Sequence, residues 1–391
     1  DAHTVKITTK GPSPVLLPNL SMVPIMSHKA AAGDAPEGKT TTQLNSGDGL
    51  IGTGPYKFVS WKRGAEIVFQ RNDDYWGDKP EWEKVIYRPI SNPAARVAAL
   101  LAVDVDLIED PPTDDLDRLK KDPNLYVQET PSLRVIYVAL NQGDEVPPGM
   151  SGTDGKNPLA DIRVREALSL AIDRQAIVDR IMGGAAQAAG TLLAFPGFGT
   201  SEKLAQAPKP DVAKAKQLLA DAGYPTGFTL SLGSPAGRYT NDQRIAQTVA
   251  AMWARIGVKT EVETSAPAVF FKQRDQYAFS SYLAGWAVSS GEMINPLKAL
   301  VMSKDPAQGF GTTNWSKYHN PKLDELILSA SKTLDDSERA QILGTASEMV
   351  IEDYGILPLQ FELSVWAMKK EIRYDGRADQ FTLAQDMYLA K

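Results

Sequence analysis

The chain has 391 residues and a net charge of −6, with 43% hydrophobic and 23% charged residues. This length predicts about two or three domains, and the balanced composition excludes wholesale disorder. The acidic balance and the lack of an extended Lys/Arg tract argue against nucleic-acid binding, and no apolar run is long enough for a transmembrane helix. The absence of cysteine excludes disulfides, thiolate nucleophiles and cysteine-bound zinc.

The first fifty residues predict little regular structure. Residues 4–8 alternate in the manner of a short strand, and the prolines that follow break any longer element before residue 28. The segment 30–48 is rich in alanine, glycine and threonine, which is typical of a connection between elements.

Residues 52–90 form the most distinctive segment of the chain. Tyr56, Phe58 and the run 67–69 are aromatic or β-branched strand formers, and glycines and a proline separate them. The pattern predicts three short strands joined by tight turns.

The remainder alternates helical and strand patterns, which predicts an α/β fold. At residues 240–243, Thr-Asn-Asp-Gln matches a capping box at a helix start. Helices are predicted near 92–101, 116–119, 164–172, 173–181, 211–222, 240–256, 323–330 and 340–350, and strands near 126–128, 134–141, 228–232, 258–262, 282–286, 356–361 and 365–368.

Most catalytic motifs are missing from the sequence. The three histidines lack metal-ligand spacing, and no Gly-x-Ser-x-Gly elbow accompanies them. Gly183 and Gly184 follow a predicted helix instead of preceding one, so they do not form a phosphate loop. Among 48 acidic residues some pair will always look plausible, so a carboxylate-dependent hydrolase stays open as an alternative, as does a chaperone-like module that holds extended peptides.

The stretch after the strand near 282–286 is the strongest candidate for a ligand site. A strand that ends at Trp286 and continues into Ser289, Ser290 and Glu292 would place an indole, hydroxyls and a carboxylate at a sheet edge. Ligands of α/β proteins bind at such edges. The alternative is a tryptophan that simply packs in the core.

Further candidates lie elsewhere in the chain. Arg134, at the start of a predicted strand, would clamp a carboxylate with two hydrogen bonds, although an exposed arginine at a strand start is an equal alternative. Tyr137 and Asn141 on the same strand are weaker candidates. Arg238 and Tyr239 precede a predicted helix start, where amide donors favour anions. Asn314 and Trp315 form a third candidate patch, with a packed Trp315 as the alternative.

The segment 52–90 closely resembles the signature of the extracellular solute-binding proteins of family 5, which serve peptide, nickel and opine ABC transporters. The resemblance implies a two-lobed fold of the periplasmic-binding-protein type II kind, with central mixed sheets flanked by helices and hinge closure on the ligand. It also implies a monomer without enzymatic activity or cofactor, located in the periplasm or anchored outside the cell. Such a protein delivers a small-molecule or peptide-like ligand to an ABC transporter permease.

The resemblance also predicts how the chain is divided. Residues 1–28 would be a remnant of the small lobe, 29–133 large lobe I, 134–358 large lobe II, and 359–391 the return to lobe I. In relatives, a strand like 4–8 comes well after the start of the chain. We therefore expect the N-terminal part of the family fold to be missing from this sequence.

One departure from the family pattern concerns the ligand. Peptide-binding relatives carry an aspartate three residues after the tryptophan that corresponds to Trp286, and this chain has Ser289 there. A buried ammonium without a partner costs several kcal/mol, so an ordinary peptide with a free α-amino group is disfavoured. Glu292 would supply the charge from another direction. Glutathione-like peptides, amino-acid conjugates and opines are the ligand classes that the resemblance leaves.

Overall fold

The structure, a computed structural model, describes residues 3–21, 23–25, 27, 28, 30, 39–47 and 49–390. Helices and strands alternate over most of this part of the chain, which confirms the predicted α/β class. The strands in the described residues are β1 (Tyr56–Lys62), β2 (Glu66–Arg71), β3 (Lys84–Tyr87), β4 (Leu107–Glu109), β5 (Leu125–Leu140), β6 (Ala186–Ala188), β7 (Thr229–Pro235), β8 (Lys259–Ser265), β9 (Ser281–Ala287), β10 (Leu357–Lys369), β11 (Ile372–Tyr374) and β12 (Met387–Leu389).

Most of the longer helices begin at a residue whose side chain caps the first turn. Asp173 and Asp211 accept hydrogen bonds from Ala176 N and Lys214 N, as Asp residues at helix starts commonly do. The helices are α1 (Leu16–Leu20), α2 (Thr41–Leu44), α3 (Pro93–Leu101), α4 (Leu116–Lys121), α5 (Ile162–Leu170), α6 (Arg174–Arg180), α7 (Val212–Asp221), α8 (Asp242–Ala254), α9 (Pro267–Asp275), α10 (Ile294–Pro296), α11 (Pro321–Ala330) and α12 (Asp336–Glu352). None of those in the described chain is long and apolar enough to cross a bilayer.

The chain divides into two compact units. The first unit comprises Asp1–Pro18 and Pro131–Leu363, and the second comprises Asn19–Thr130 and Ser364–Lys391. The three boundaries between the units fall inside α1, β5 and β10.

The first unit is built on a mixed sheet. Its strand order is β10, β5, β9, β7, β8, with β6 beside β10. Strand β5 runs antiparallel to β9, whereas β7 runs parallel to both β9 and β8. Each face of this sheet has its own apolar core, because successive residues of a strand point to opposite faces. Ile136, Val138 and Leu140 belong to one core, and Val135 and Tyr137 to the other.

Helices complete these two cores. The core that contains Ile136 is covered by α5 to α8, whose buried residues include Leu168, Leu219 and Trp253. The core that contains Val135 is covered by α9, α11 and α12. The sequence analysis did not predict α9. For the other helices, the amphipathic pattern of the sequence is the pattern of the buried face.

The second unit contains smaller sheets. The three strands predicted from residues 52–90 are confirmed as the antiparallel sheet β1-β2-β3, with a bulge in β1 between Phe58 and Ser60. Strand β4 pairs with the last part of β10, and β11 pairs with β12. Short apolar clusters that include Leu100, Ile108 and Trp366 fill this unit.

The strand predictions differ from the structure in three places. Residues 4–8, which the structure describes, are irregular. The strands predicted near 126–128 and 134–141 are one strand, β5, and those near 356–361 and 365–368 are likewise one strand, β10. Polar residues interrupt the apolar pattern of both. The hydroxyl of Ser132 donates to the carbonyl of Glu362 at 2.8 Å, a contact across 230 residues that local pattern does not reveal.

Glu109, at the end of β4, is expected to make the stability of the protein depend on pH. Burial raises the pKa of this carboxyl, and Asp110 raises it further, while a hydrogen bond with Thr382 opposes them. A folded-state pKa above the unfolded value means that Glu109 favours folding at low pH and that this contribution is lost as the pH rises through the folded-state pKa. We expect Glu109→Gln to be more stable than the natural chain near neutral pH and to lose this advantage in acid. Urea unfolding of both proteins from about pH 4 to about pH 8 measures this. Equal pH profiles would contradict it.

Candidate functional site

All of the candidate residues lie in the first unit. They sit on two neighbouring strands and on loops at the ends of strands and helices. Arg134, Tyr137 and Asn141 are on β5, Arg238 and Tyr239 lie between β7 and α8, Trp286 is on β9, Ser289, Ser290 and Glu292 follow β9, and Asn314 and Trp315 precede α11.

The register of β5 and β9 separates the two strongest candidates. Arg134 lies opposite Ala287, and Val135 lies opposite Trp286. Because paired residues share a face and neighbours alternate, Arg134 and Trp286 lie on opposite faces of the sheet. The candidates therefore form two groups and not one patch.

The first group is a cluster of arginine and tyrosine. The guanidinium of Arg134 lies 5.7 Å from the centre of the Tyr239 ring, and that of Arg238 lies 5.3 Å from it. Nε of Arg134 is 3.5 Å from Oε2 of Glu362, a carboxylate whose side chain is only 5% exposed. Burial raises the pKa of Tyr239, which keeps its hydroxyl protonated. We refer to Arg134, Arg238, Tyr239 and Glu362 as the arginine–tyrosine cluster.

Glu362 and its neighbour Gln360 are absent from the sequence-based candidates. Glu362 lies opposite Ala186 and Gln360 opposite Ala188 on β6, so the two side chains share one face of β10. Gln360 is fully buried, and neither its amide nitrogen nor its amide oxygen has a hydrogen-bond partner within the described residues. A buried amide without partners is exceptional and is usually satisfied by water or a ligand. Polar residues that alternate along a strand ordinarily face solvent. The sequence pattern therefore did not indicate that Gln360 and Glu362 are buried.

The backbone amides before α8, beside this cluster, already donate hydrogen bonds to carboxylates of the protein. The amides of residues 237–239 donate to the carboxylate of Asp242 at 2.8 to 3.1 Å. The amide of Thr240 donates to Oε1 of Glu362 at 3.2 Å. The predicted amide donors for an anion are thus held by the protein's own carboxylates. The predicted capping box is wrong, because α8 begins at Asp242, behind Asn241 with a φ of 58°, and has no side-chain cap bond.

A tyrosine hydroxyl connects the cluster to β9. Tyr239 donates to the carbonyl of Gly285 at 3.2 Å, directly before Trp286. A Cβ atom at position 285 would lie 2.8 Å from both Ile136 Cδ1 and Tyr239 Cε1. Gly285 therefore leaves the space that the Tyr239 ring fills.

The second group surrounds Trp286. Its indole nitrogen donates to Oδ1 of Asn295 at 2.7 Å, and its ring packs partly against the core that contains Val135. Ser289 is exposed, whereas the hydroxyl of Ser290 is buried and has no hydrogen-bond partner among the residues described. The group thus combines the aromatic ring of Trp286 with a serine hydroxyl that has no hydrogen-bond partner within the described residues.

Glu292 is bound to a buried arginine. Its two carboxylate oxygens accept hydrogen bonds from Arg339 at 2.7 and 3.3 Å, and the side chains are 13% and 4% exposed. The guanidinium of Arg339 also lies 4.1 Å from the ring centre of Phe198. A buried guanidinium already neutralises the carboxylate that was expected to face a ligand.

The remaining candidates contact the protein itself. Tyr137 is buried edge-to-face against Tyr282, and burial raises the pKa of its hydroxyl. The amide oxygen of Asn141 accepts from Gly143 N. The amide of Asn314 donates to the carbonyls of Met302 and Tyr318. Across the described residues, no group of three or more His, Cys, Asp or Glu is arranged to hold a metal ion.

The pairing of Glu292 with Arg339 predicts an unequal response to two substitutions. Glu292→Gln removes the buried partner of Arg339 and should lower the free energy of unfolding by roughly 3–5 kcal/mol. Asp336, which also pairs with Arg339 but is 76% exposed, provides the control. Asp336→Asn should cost about 1 kcal/mol or less. Denaturant unfolding measures both, and equal losses would contradict the burial argument.

Three comparisons identify the family. The model of the bacterial extracellular solute-binding proteins, family 5 Middle, matches residues 1–308. Heme-binding protein A of Haemophilus influenzae is 30% identical over 90% of this chain and 61% of its own length. Di/tripeptide-binding protein 1 of Pseudomonas aeruginosa is 29% identical over 98% of this chain and 68% of its own length. This chain therefore spans roughly two thirds of the length of these two relatives.

The fold agrees with this match. The ABC transporter-associated periplasmic binding protein DppA from Helicobacter pylori, solved in complex with the peptide STSA, superposes with a TM-score of 0.79 at 26% identity. The match covers 98% of this chain and 71% of that one. Since the family model covers more than half of the sequence and the fold is shared, this chain belongs to the bacterial extracellular solute-binding proteins of family 5.

Proposed function

We propose that this chain is the substrate-binding component of an ABC importer, which captures a small peptide-like or amino-acid-conjugate ligand and delivers it to a membrane permease. The family match over residues 1–308 carries the proposal. The two relatives are named for the binding of heme and of di- and tripeptides, and the similar solved structure is a complex with a peptide. This supports the binding role over the hydrolase alternative. The family is extracellular, which supports a location in the periplasm or at the outer face of the cell membrane.

We further propose that both groups of candidate residues contact the ligand. The hydrogen bond from Tyr239 to the Gly285 carbonyl supports this, because it joins the arginine–tyrosine cluster to the residue before Trp286. Arg238 is exposed and would bind a ligand carboxylate, since Arg134 already faces the carboxylate of Glu362. The indole of Trp286 would stack on an apolar or planar part of the ligand.

The charges near Trp286 favour a ligand without an ordinary α-ammonium group. Ser289 is neutral, and Glu292 is paired with Arg339. Since a buried ammonium needs a charged partner, this arrangement supports amino-acid conjugates, opines or glutathione-like peptides over unmodified peptides.

The contribution of Trp286 is measurable once the natural ligand is known. Native mass spectrometry of the purified protein should reveal a bound small molecule that is released unchanged, and release of a cleaved product would favour the hydrolase alternative. We expect Trp286→Ala to weaken its binding more than tenfold, or about 1.4 kcal/mol, in calorimetry. Trp76→Ala, at a residue that is 82% exposed in the second unit, is the control and should leave the affinity unchanged. Unchanged affinity in Trp286→Ala would remove this residue from the site.

The proposed role of Arg238 predicts a dependence on the ligand's carboxylate. Arg238→Gln should weaken binding by about 1.5–3 kcal/mol, which is typical of a hydrogen bond to a charged group. The same substitution should have little effect on a methyl ester of the ligand. Arg255→Gln, at another exposed arginine of the same unit, serves as the control. Equal losses for acid and ester would show that Arg238 does not bind the carboxylate.

A further inference from the structure

A basic patch lies in the first unit, mainly in the segment between β9 and α11. Lys298, Lys304 and Lys317 contact aromatic rings there, and none of them forms an ion pair with a carboxylate among the residues that the structure describes. Lys304 and Lys317 are exposed. Since the net charge of the chain is −6, this concentration of positive charge is local. The lysine–aromatic patch comprises these three lysines and the rings of Tyr277, Phe310 and Trp315.

Aromatic rings hold two of the lysines in place. Nζ of Lys304 lies 3.3 Å from the centre of the Trp315 ring, and Nζ of Lys317 lies 5.0 Å from the centre of the Tyr277 ring. The two rings meet edge to face at 5.4 Å. A ring face attracts a cation but carries no net charge, so both ammonium groups keep their positive charge.

A close backbone approach joins the third lysine to this group. The amide of Gly311 donates to the carbonyl of Lys298 at 3.0 Å, and a Cβ atom at position 311 would lie 2.8 Å from Cα of Lys304. The ammonium of Lys298 lies 5.0 Å from the centre of the Phe310 ring. The three lysines therefore belong to one continuous patch.

Two residues of the patch have a backbone conformation that is rare for their type. The φ angle is 56° at Tyr277 and 54° at Lys317, in the left-handed region that bulky residues seldom adopt. Backbone strain of this kind persists where surrounding contacts enforce it, and it concentrates at functional sites. The strain therefore supports a role for the patch beyond folding.

The polar side-chain groups of the patch are hydrogen-bond donors. Nζ of Lys304 donates to Oη of Tyr277 at 3.4 Å, so the hydrogen of that hydroxyl is left to donate elsewhere. The carboxylates of neighbouring residues are already bonded. Asp275 is ion-paired with Arg274 at 2.8 Å, and Asp305 accepts two backbone amides of its own loop. The complement of such a patch is an anion with several acceptor oxygens, and a phosphate group has these properties.

A bilayer fits this patch better than an isolated phosphate does. A single pair of exposed charges is largely screened by water and salt, so one small phosphate would gain little from these lysines. Anionic lipids present many phosphates at once, so all three lysines can bind together. Tyrosine and tryptophan rings, in addition, favour the headgroup layer of a membrane.

We propose that the lysine–aromatic patch binds the anionic headgroups of a phospholipid bilayer. The three ammonium groups contact headgroup phosphates, and the hydroxyl of Tyr277 donates to one of them. The contact involves neither Arg238 nor Trp286, so it is separate from the proposed capture of a solute. If the proposed transport function holds, this contact keeps the solute-loaded protein at the membrane that contains its permease.

Flotation of the full chain with vesicles tests this proposal without any solute. The vesicles contain either phosphatidylcholine alone or phosphatidylcholine with about one third phosphatidylglycerol. We expect binding only to the anionic vesicles at low salt, and release as the salt rises to about 0.5 M. The double variant Lys304→Gln with Lys317→Gln should bind about thirtyfold more weakly, or about fivefold for each lysine. Lys304→Arg with Lys317→Arg keeps both charges and should bind as the natural chain does.

A matched double variant separates the patch from the overall charge. Lys214→Gln with Lys259→Gln removes the same charge from the same unit, and these lysines are ion-paired with Glu166 and Glu261. This control should retain binding, and all variants should keep the circular dichroism of the natural chain. Absence of binding to anionic vesicles, equal binding to both kinds of vesicle, or equal loss in the two glutamine double variants would overturn the proposal.

Two soluble competitors distinguish the bilayer from other anionic partners. Inorganic phosphate and polyglutamate should bind the natural chain far more weakly than the anionic vesicles do. Tight binding of inorganic phosphate that Lys304→Gln with Lys317→Gln abolishes would overturn the proposal, because the occupant would then be a free anion. Preference for polyglutamate over the vesicles would also overturn it, because the occupant would then be an acidic protein segment.

Discussion

The register between β5 and β9 is the constraint on which the first unit depends. Side chains alternate along β5 with a period of two, so a slip by one residue would exchange the members of the two apolar cores. The same register decides which polar residues can meet. It assigns Arg134 to one face and Trp286 to the other. The hydroxyl of Tyr239, beside Arg134, donates to the carbonyl of Gly285, directly before Trp286.

Three arginines of the first unit are paired with carboxylates. Arg134 faces Glu362, Arg339 binds Glu292, and Arg165 binds Asp353, with N–O distances of 3.5, 2.7 and 2.9 Å. Each of these carboxylates has a guanidinium partner, which offsets the cost of removing both charges from water. These pairs fix the charged side chains within the first unit.

The sequence predicted the features that depend on neighbours in the chain. Asp173 and Asp211 cap the helices that their positions indicated, and the strands after Gly54 follow the aromatic and β-branched pattern. It did not predict features that depend on distant partners. The continuity of β10 and the role of Glu362 both rest on contacts with residues more than a hundred positions away. The capping box failed for a local reason, because the carboxylate of Asp242 accepts hydrogen bonds from the amides of residues 237–239.

Gly285 and Trp286 are adjacent in the chain but contact different parts of the first unit. The glycine is required by the ring of Tyr239 on one face, and the tryptophan is oriented by Asn295 on the other. Substitutions at the two positions are therefore expected to be tolerated independently. A larger residue at 285 demands a smaller one at 239, whereas a change at 286 alters the contact with Asn295. The two adjacent residues thus serve separate contacts within the unit, one with Tyr239 and one with Asn295.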